Sequence, residues 1–292
     1  MSELLVVGSL CADYYQSPPD ASARLFPGGK GGNQAVAARR LGETVCLTAM
    51  IGEDPEGEFL LRHLEKQGLS TVNIHKKAGA RTGRCAIKLT AAGEARIHGY
   101  PGANLLWEQK DWQRTLQLLE QADCLLVQLE IPPKFVLELL AVAQDWNKLT
   151  ILNLGPPRKI ELPALTDKTY LVLNAQEAYF YTGIFPGDSA AAQRAATVLG
   201  QKAKHVIITL ASQGAFLASA DSFHLIPAPH REVADSTGAG DVFCAALAVA
   251  LLRGASAKEA TGFACKTASV AVTGLGAQSV NPLTETISPL FP

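Results

Sequence analysis

Short apolar runs recur along the chain at intervals that leave room for one helix between each pair. "LLVVGS", "TVCLTAMIG", "CLLVQLE", "LTILNLG", "YLVLN" and "HVIITLA" are nearly continuous in apolar residues, as strands covered on both faces must be. The stretches between them, such as "EGEFLLRHLEKQG", "WQRTLQLLEQA", "PKFVLELLAVAQDW" and "SAAAQRAATVLG", place apolar residues at helical spacing, and several close on Gly. Strand and helix alternating in this way predict an α/β fold, a mostly parallel central sheet with helices on both faces. Two places break the rhythm. Residues 84–100 ("RCAIKLTAAGEARIHGY") and 214–228 ("GAFLASADSFHLIPA") each hold two strand-like runs about a turn, which predicts a β-hairpin in each. No internal repeat, low-complexity tract or linker appears, so residues 1–292 are read as a single domain.

Composition narrows the function. Lys+Arg 26 against Asp+Glu 27 gives a formal net charge of -1, so no global field is available to hold a nucleic-acid backbone or an anionic membrane. A small molecule is the expected partner, with neither nucleic acid nor membrane. The six cysteines (Cys11, Cys46, Cys85, Cys124, Cys244 and Cys265) form no C-x-x-C pair and several sit in apolar runs. They read as free thiols of a reducing compartment, and the acidic N-terminus "MSELLVVGSL" lacks the positive charge of a signal peptide. A cytoplasmic location is therefore expected. The six histidines show no ligand spacing, and each reads as a surface or internally satisfied side chain.

The stretch "DSTGAGDVF" (residues 235–243) holds an acid at each end of a run of small residues. The pattern that follows, "VFCAALAVALLRG", is helical, so Gly238, Ala239 and Gly240 fall at a helix N-terminus. Unpaired backbone N–H groups and the helix dipole favour an anion there. Asp241 beside such a site makes sense as a base: it would take a proton from an alcohol while the N–H groups stabilise a transferring phosphoryl group. An N-terminal cap is the other reading of the same residue. A second cluster, "GGKGGNQAVAARRLG" (residues 28–42), matches neither a P-loop nor G-x-G-x-x-G. It offers a backbone able to wrap a polar ligand, with Asn33 supplying donors and an acceptor; close packing of the helix on the sheet is the alternative.

These two clusters, together with "VVGSLCAD", "LLVQLEIP", "NAQEA", "IITLASQGAFL" and "AVTGLGAQ", resemble the ribokinase-like sugar kinases, the phosphofructokinase-B family, over essentially the whole chain. The resemblance implies a central sheet with a small β lid, and an ATP-dependent phosphotransferase acting on a primary hydroxyl of a sugar, with C5 of ribose favoured. It places Asp13, Gly29, Lys30, Asn33 and Glu130 around the sugar and Asp241 as general base, with Gly238, Ala239 and Gly240 as the anion hole. Asn174 and Glu177 would order magnesium and phosphates through water, while Thr209, Ala211, Gly214 and Gly240 would meet the nucleotide. Asp235, with backbone near Thr237, Ala271, Gly274 and Gly276, would surround an activating potassium ion. Otherwise Asp235 braces the turn.

The chain also departs from that family. Cys11 stands where Asn is usual, removing a hydrogen-bonding side chain from the sugar pocket. Ala211 replaces a usual Gly, and Cys265 and Lys266 alter the helix that flanks the adenine. Another furanose or a nucleoside is therefore an alternative acceptor, and a non-catalytic sugar-binding regulator is a further one. The lid elements are expected near residues 13–28 and 84–100. The first, "YYQSPPDASARLFP", carries Pro18, Pro19 and Pro27, which cannot supply ladder N–H groups. A paired hairpin is not expected there, which predicts a truncated lid and a monomer or weak homodimer.

Overall fold

The structure is a computed structural model that describes residues 3–16, 23–89, 95–219 and 222–280. Its strands are β1 (Glu3–Val7), β2 (Cys11–Gln16), β3 (Arg24–Gly28), β4 (Thr44–Gly52), β5 (Ile74–Lys77), β6 (Gly83–Leu89), β7 (Ala95–Tyr100), β8 (Cys124–Gln128), β9 (Leu149–Asn153), β10 (Thr169–Asn174), β11 (His205–Thr209), β12 (Ala215–Ser219) and β13 (Ser222–Ile226). Its helices are α1 (Lys30–Arg40), α2 (Pro55–Lys66), α3 (Gln109–Gln121), α4 (Pro133–Asp145), α5 (Ala175–Thr182), α6 (Ser189–Gly200), α7 (Ala239–Leu252) and α8 (Ala257–Ala271).

All six apolar runs become adjacent parallel strands of a nine-stranded sheet, ordered β13-β12-β11-β10-β9-β8-β1-β4-β5. Their lack of hydrophobic alternation has the expected cause. In β1, Leu4 and Val6 enter one core while Leu5 and Val7 enter the other. The first core is closed by α1, α2, α7 and α8, the second by α3, α4, α5 and α6. Helix α7 is buried on nearly every side and packs on both α8 and α1, which explains why its sequence shows no polar stripe. The hairpin expected over 214–228 is β12–β13, antiparallel and at the sheet edge.

The strand order reverses at β1: the chain runs out through β4 and β5 on one side, then returns to build β8 to β13 on the other. Such a switch point opens a crevice outside the carboxyl ends of the strands.

Above that crevice lies a second sheet, ordered β3-β2-β6-β7. The hairpin expected over 84–100 is β6–β7. The expectation for residues 13–28 is overturned: β2 and β3 pair antiparallel from Cys11↔Gly28 to Tyr15↔Arg24. Pro27 sits inside β3, opposite Ala12. It is tolerated because β3 is the edge strand, where a missing N–H interrupts no ladder beyond it; Pro18 and Pro19 lie outside the described residues. The sheet has four strands rather than a truncated set, which removes the reason for expecting a weakened subunit contact. Among the contacts that tie it down, Arg84 pairs with Glu56 on α2 (2.7 Å), the Tyr14 hydroxyl donates to the same carboxylate (2.8 Å), and the Tyr15 hydroxyl donates to Thr237 Oγ1 (2.9 Å).

Candidate active site

Helix α1 begins where β3 ends. Gly29, its N-cap, has φ 87, a left-handed conformation that Gly adopts without the cost of a Cβ, and a Cβ there would lie 2.7 Å from Cys11 N. Gly31 and Gly32 likewise press against Ser9 and Leu10. These glycines therefore serve the close packing of α1, and the polar side chains that α1 carries serve the crevice. The first N–H of α1, that of Lys30, donates to Glu130 Oε2 at 2.9 Å, and Ser9 Oγ donates to the same oxygen. Glu130 thus fastens the helix start to the ends of β1 and β8, as an anion at a helix N-terminus should.

Helix α7 begins at Ala239, two residues before Asp241, after Gly238 at φ 80. A Cβ on Gly238 would lie 2.5 Å from the Ala277 Cβ. Asp241 falls in the first turn with its carboxylate directed at α1: Asn33 Nδ2 donates to Oδ2 (2.8 Å), while Gln34 Nε2 (3.2 Å) and Lys30 Nζ (3.4 Å) approach Oδ1. The N-cap of α7 is Gly238, and the Asp241 carboxylate is bonded to side chains of α1, which disfavours the capping reading. Among the described residues nothing lies within 4 Å of where a Cβ on Gly240 would stand, which leaves room for a ligand at the helix N-terminus.

The charges converge. Burial acts to lower the pKa of Lys30, but Asp241, Glu130 and Glu177 outweigh it and hold the ammonium well above its ordinary range. Asp13, on β2, is 8% exposed; burial, then the Glu130 and Asp241 charges, push its carboxyl up to about 7. Cys11 and Cys85 share this pocket. Burial raises both thiols, Cys85 to about 11, with Glu130 and Asp13 adding to it. Asn104 holds the Leu10 backbone by two hydrogen bonds and reaches Cys11 Sγ at 3.5 Å.

Asn174 and Glu177 close a capping box on α5: Glu177 N donates to Asn174 Oδ1 (2.9 Å) and Asn174 N to Glu177 Oε2 (2.7 Å). The remaining oxygen, Oε1, faces Gly155, where a Cβ would approach it to 2.2 Å and Lys30 Cε to 3.3 Å. Burial raises the Glu177 carboxyl against the pull of Lys30. Thr209 pairs in register with Asn174 on the neighbouring strand. Ala211 occupies an exposed turn at φ 51, and Gly214 packs against the backbone of Ile226 and Ala228.

Asp235 sits apart from Asp241. Its Oδ1 accepts from Thr237 N (2.9 Å) and Thr237 Oγ1 (2.7 Å), its Oδ2 from Gly276 N (2.9 Å). Burial pushes this carboxyl up, but the bonds from Thr237 and Gly276 outweigh it and hold it below the usual range. Ala271 closes α8, and Gly274 packs on Ser279 and Val280. Sequence reasoning missed Gln34, Gln128, Gln278, Ser9, Gly155 and Tyr15. Gln34 and Gln278 lie within the quoted "GGKGGNQ" and "GLGAQ" stretches, where their positions were legible and their contacts were not.

The layout defines an α/β enzyme whose crevice brings a buried carboxylate, an ammonium and an open helix N-terminus together at a topological switch point. The chain belongs to the pfkB family of carbohydrate kinases, whose family model matches residues 1–284, and it is an ATP-dependent sugar kinase. It is 34% identical over 270 residues to ribokinase of Bacillus subtilis, covering 92% of this chain and 89% of that protein. It is 31% identical over 290 residues to ribokinase of Haemophilus influenzae, covering 96% and 95%. The structure superposes on Arabidopsis thaliana ribokinase complexed with ribose and ATP with a TM-score of 0.85 at 27% identity, covering 95% of each chain.

Proposed function

We propose that the chain transfers the γ-phosphoryl group of ATP to the primary hydroxyl of ribose, with Asp241 as general base. The observation that carries this reading is the Asp241 carboxylate, 5% exposed, held by Asn33 and Gln34 beside Lys30 at the open first turn of α7. In this reading Asp13 accepts hydrogen bonds from sugar hydroxyls, with Lys30, Asn33 and the Gly29 backbone around the ring, and Glu130 acts from beneath as the anchor of α1. Asp241 receives the proton of the attacking hydroxyl on a carboxylate oxygen, and the N–H of Gly240, with that of Ala239 once it turns from Ser236 O (3.2 Å), stabilises charge on the group in transfer. Lys30 balances that charge from the opposite side. Residues 1–292 act as one kinase unit, with the four-stranded sheet as its lid.

Magnesium fits Glu177 Oε1, the one oxygen the capping box leaves over, in the space kept clear by Gly155. With one carboxylate available, Glu177 and Asn174 would hold the ion largely through water. Bound there, it supplies neutralisation of the nucleotide phosphates. Thr209, Ala211 and the following turn would lie along the nucleotide. Potassium, as activator, would draw mainly on backbone carbonyls near Thr237, Ala271, Gly274 and Gly276. The Tyr15 hydroxyl stands 3.3 Å from Asp235 Oδ2, longer than a normal O–H···O bond, so that oxygen keeps an acceptor position for a cation. Rates should be higher in potassium chloride than in sodium chloride at equal ionic strength; equal rates would leave Asp235 as a brace. The free cysteines support a cytoplasmic location.

One observation favours a second acceptor class. Cys11 and Cys85 put two weak hydrogen-bonding thiols beside Asp13, which suits a furanose with one hydroxyl fewer. ATP consumption measured across ribose, 2-deoxyribose, other pentoses and hexoses, nucleosides and pyridoxal decides. Ribose should give the highest kcat/KM. A panel on which only nucleosides or pyridoxal support turnover would overturn the sugar assignment.

A further inference from the structure

A carboxylate can only accept hydrogen bonds, and this fixes the orientation of every amide linked to Asp241. Asn33 must turn Nδ2 towards Asp241 Oδ2, which leaves Asn33 Oδ1 to accept from Gln278 Nε2 at 2.8 Å. Gln278 then has only Oε1 for its last partner, so His63 Nε2, at 2.7 Å, is the donor. On the other side Gln34 turns Nε2 towards Asp241 Oδ1, and its Oε1 accepts from Gln128 Nε2 at 2.5 Å. Two arms of amides therefore run into one carboxylate, every donor pointing at it.

The arms come from four separate parts of the fold: His63 from α2, Gln278 from the loop after α8, Asn33 and Gln34 from α1, and Gln128 from the end of β8. Gln34 and Gln128 are fully buried, and Asn33 and Gln278 nearly so. The loop bearing Gln278 is itself pinned, because Arg40 Nη1 donates to the carbonyls of Gln278 (2.7 Å) and Val280 (2.9 Å). Burial lowers the His63 pKa below its ordinary value, which favours a neutral ring; the acceptor Gln278 Oε1 opposite it is what places the proton on Nε2. The far ends matter through polarity rather than shape. An Asn33 amide turned by half a revolution fills the same space, yet it would set Oδ1 against Asp241 and leave two acceptors facing each other. Gln278, held at its far end by His63, opposes that turn. Gln128 offers Gln34 a donor, but its own Oε1 has no partner among the described residues, so the His63–Gln278–Asn33 arm is the one fixed at both ends.

We propose that Gln278, with His63 behind it, is a positioning residue for phosphoryl transfer, holding the donor end of Asn33 on Asp241 so that its carboxylate stands ready for the substrate proton. The proposal rests on Asp241 being the base. Its test compares two variants of nearly unchanged shape in the full chain: Gln278→Met removes the polarity and Gln278→Glu reverses it.

With ribose and ATP, kcat should fall about 10- to 100-fold in Gln278→Met and further in Gln278→Glu, while the KM for ATP stays within about threefold. His63→Leu should lower kcat by about fivefold, and His63→Gln, which restores an N–H donor, should recover it to within about twofold of wild type. A kcat within about twofold of wild type in Gln278→Met overturns the proposal. So does equal kcat in His63→Leu and His63→Gln, a comparison that stands even where the Gln278 variants fail to fold. A wild-type chain inactive on the whole sugar panel is a different outcome, and it overturns the underlying reading of Asp241.

Discussion

Asp13 and Asp241 are buried to nearly the same degree, 8% and 5% exposed, and face the same crevice, yet their surroundings are opposite. Asp241 meets two amide donors and an ammonium from α1. Asp13 meets thiols and the charges of Glu130 and Asp241, and its carboxyl is pushed up to about 7 by burial and those charges. The first region is complete as it stands. The second carries an electrostatic cost that hydroxyl donors of a ligand would relieve, because hydrogen bonds to the charged form of a carboxylate favour it. Pre-built chemistry beside an unsatisfied binding group is what differential stabilisation requires: the substrate completes one half of the site and the other half waits for the transition state.

The largest effect that sharpens this contrast is on binding. Asp13→Ala should weaken ribose affinity about 100-fold by calorimetry, since bonds to a charged partner are worth about 1.5–3 kcal/mol, while ATP affinity holds. Unchanged ribose affinity would remove Asp13 from the pocket. A smaller effect follows from pH. If sugar hydroxyls donate to ionised Asp13, affinity is full above the folded pKa of about 7 and is lost as pH falls through it. Ribose should therefore bind about tenfold more weakly at pH 6 than at pH 8; a flat profile would break the comparison.

Folding stability has the opposite dependence. The folded pKa lies above the unfolded value of 3.8, so the contribution of Asp13 is fully present below that value and is lost as pH rises towards 7. Asp13→Asn should accordingly raise the melting temperature at pH 8 by roughly 3–6 °C. The smallest effect is at the turn after β11. Ala211 holds φ 51 in an exposed turn, a conformation that costs a Cβ-bearing residue about 1 kcal/mol, so Ala211→Gly should raise the melting temperature by about 2–4 °C.

The parallel core was legible because its strands are covered on both faces and read as unbroken apolar runs. So was the start of α7, where Gly238 breaks the chain direction and the apolar pattern begins. The pair β2–β3 was not. Pro27 within it argues against a ladder, and the position of β3 at an edge, known once the sheet is assembled, removes that objection. The short edge strand β5 gave no signal for a similar reason, since of its four residues only Ile74 is buried in the core. In the site, the acids and glycines could be read from local pattern. The glutamines could not: Gln34, Gln128 and Gln278 come from three distant segments, and nothing in the local spelling of a glutamine tells a buried donor from a solvated one. The glycines of residues 28–32 were read as ligand-facing as well as packing, and contact with residues 8–13 favours packing for most of them.

The division of labour between the two acids is tested most directly in one variant. With Asp241→Asn, ribose and ATP are titrated by calorimetry and turnover is followed on the same preparation. The account predicts both affinities within about threefold of wild type and kcat lower by about 10²–10⁴-fold. A loss of turnover smaller than about tenfold would contradict it.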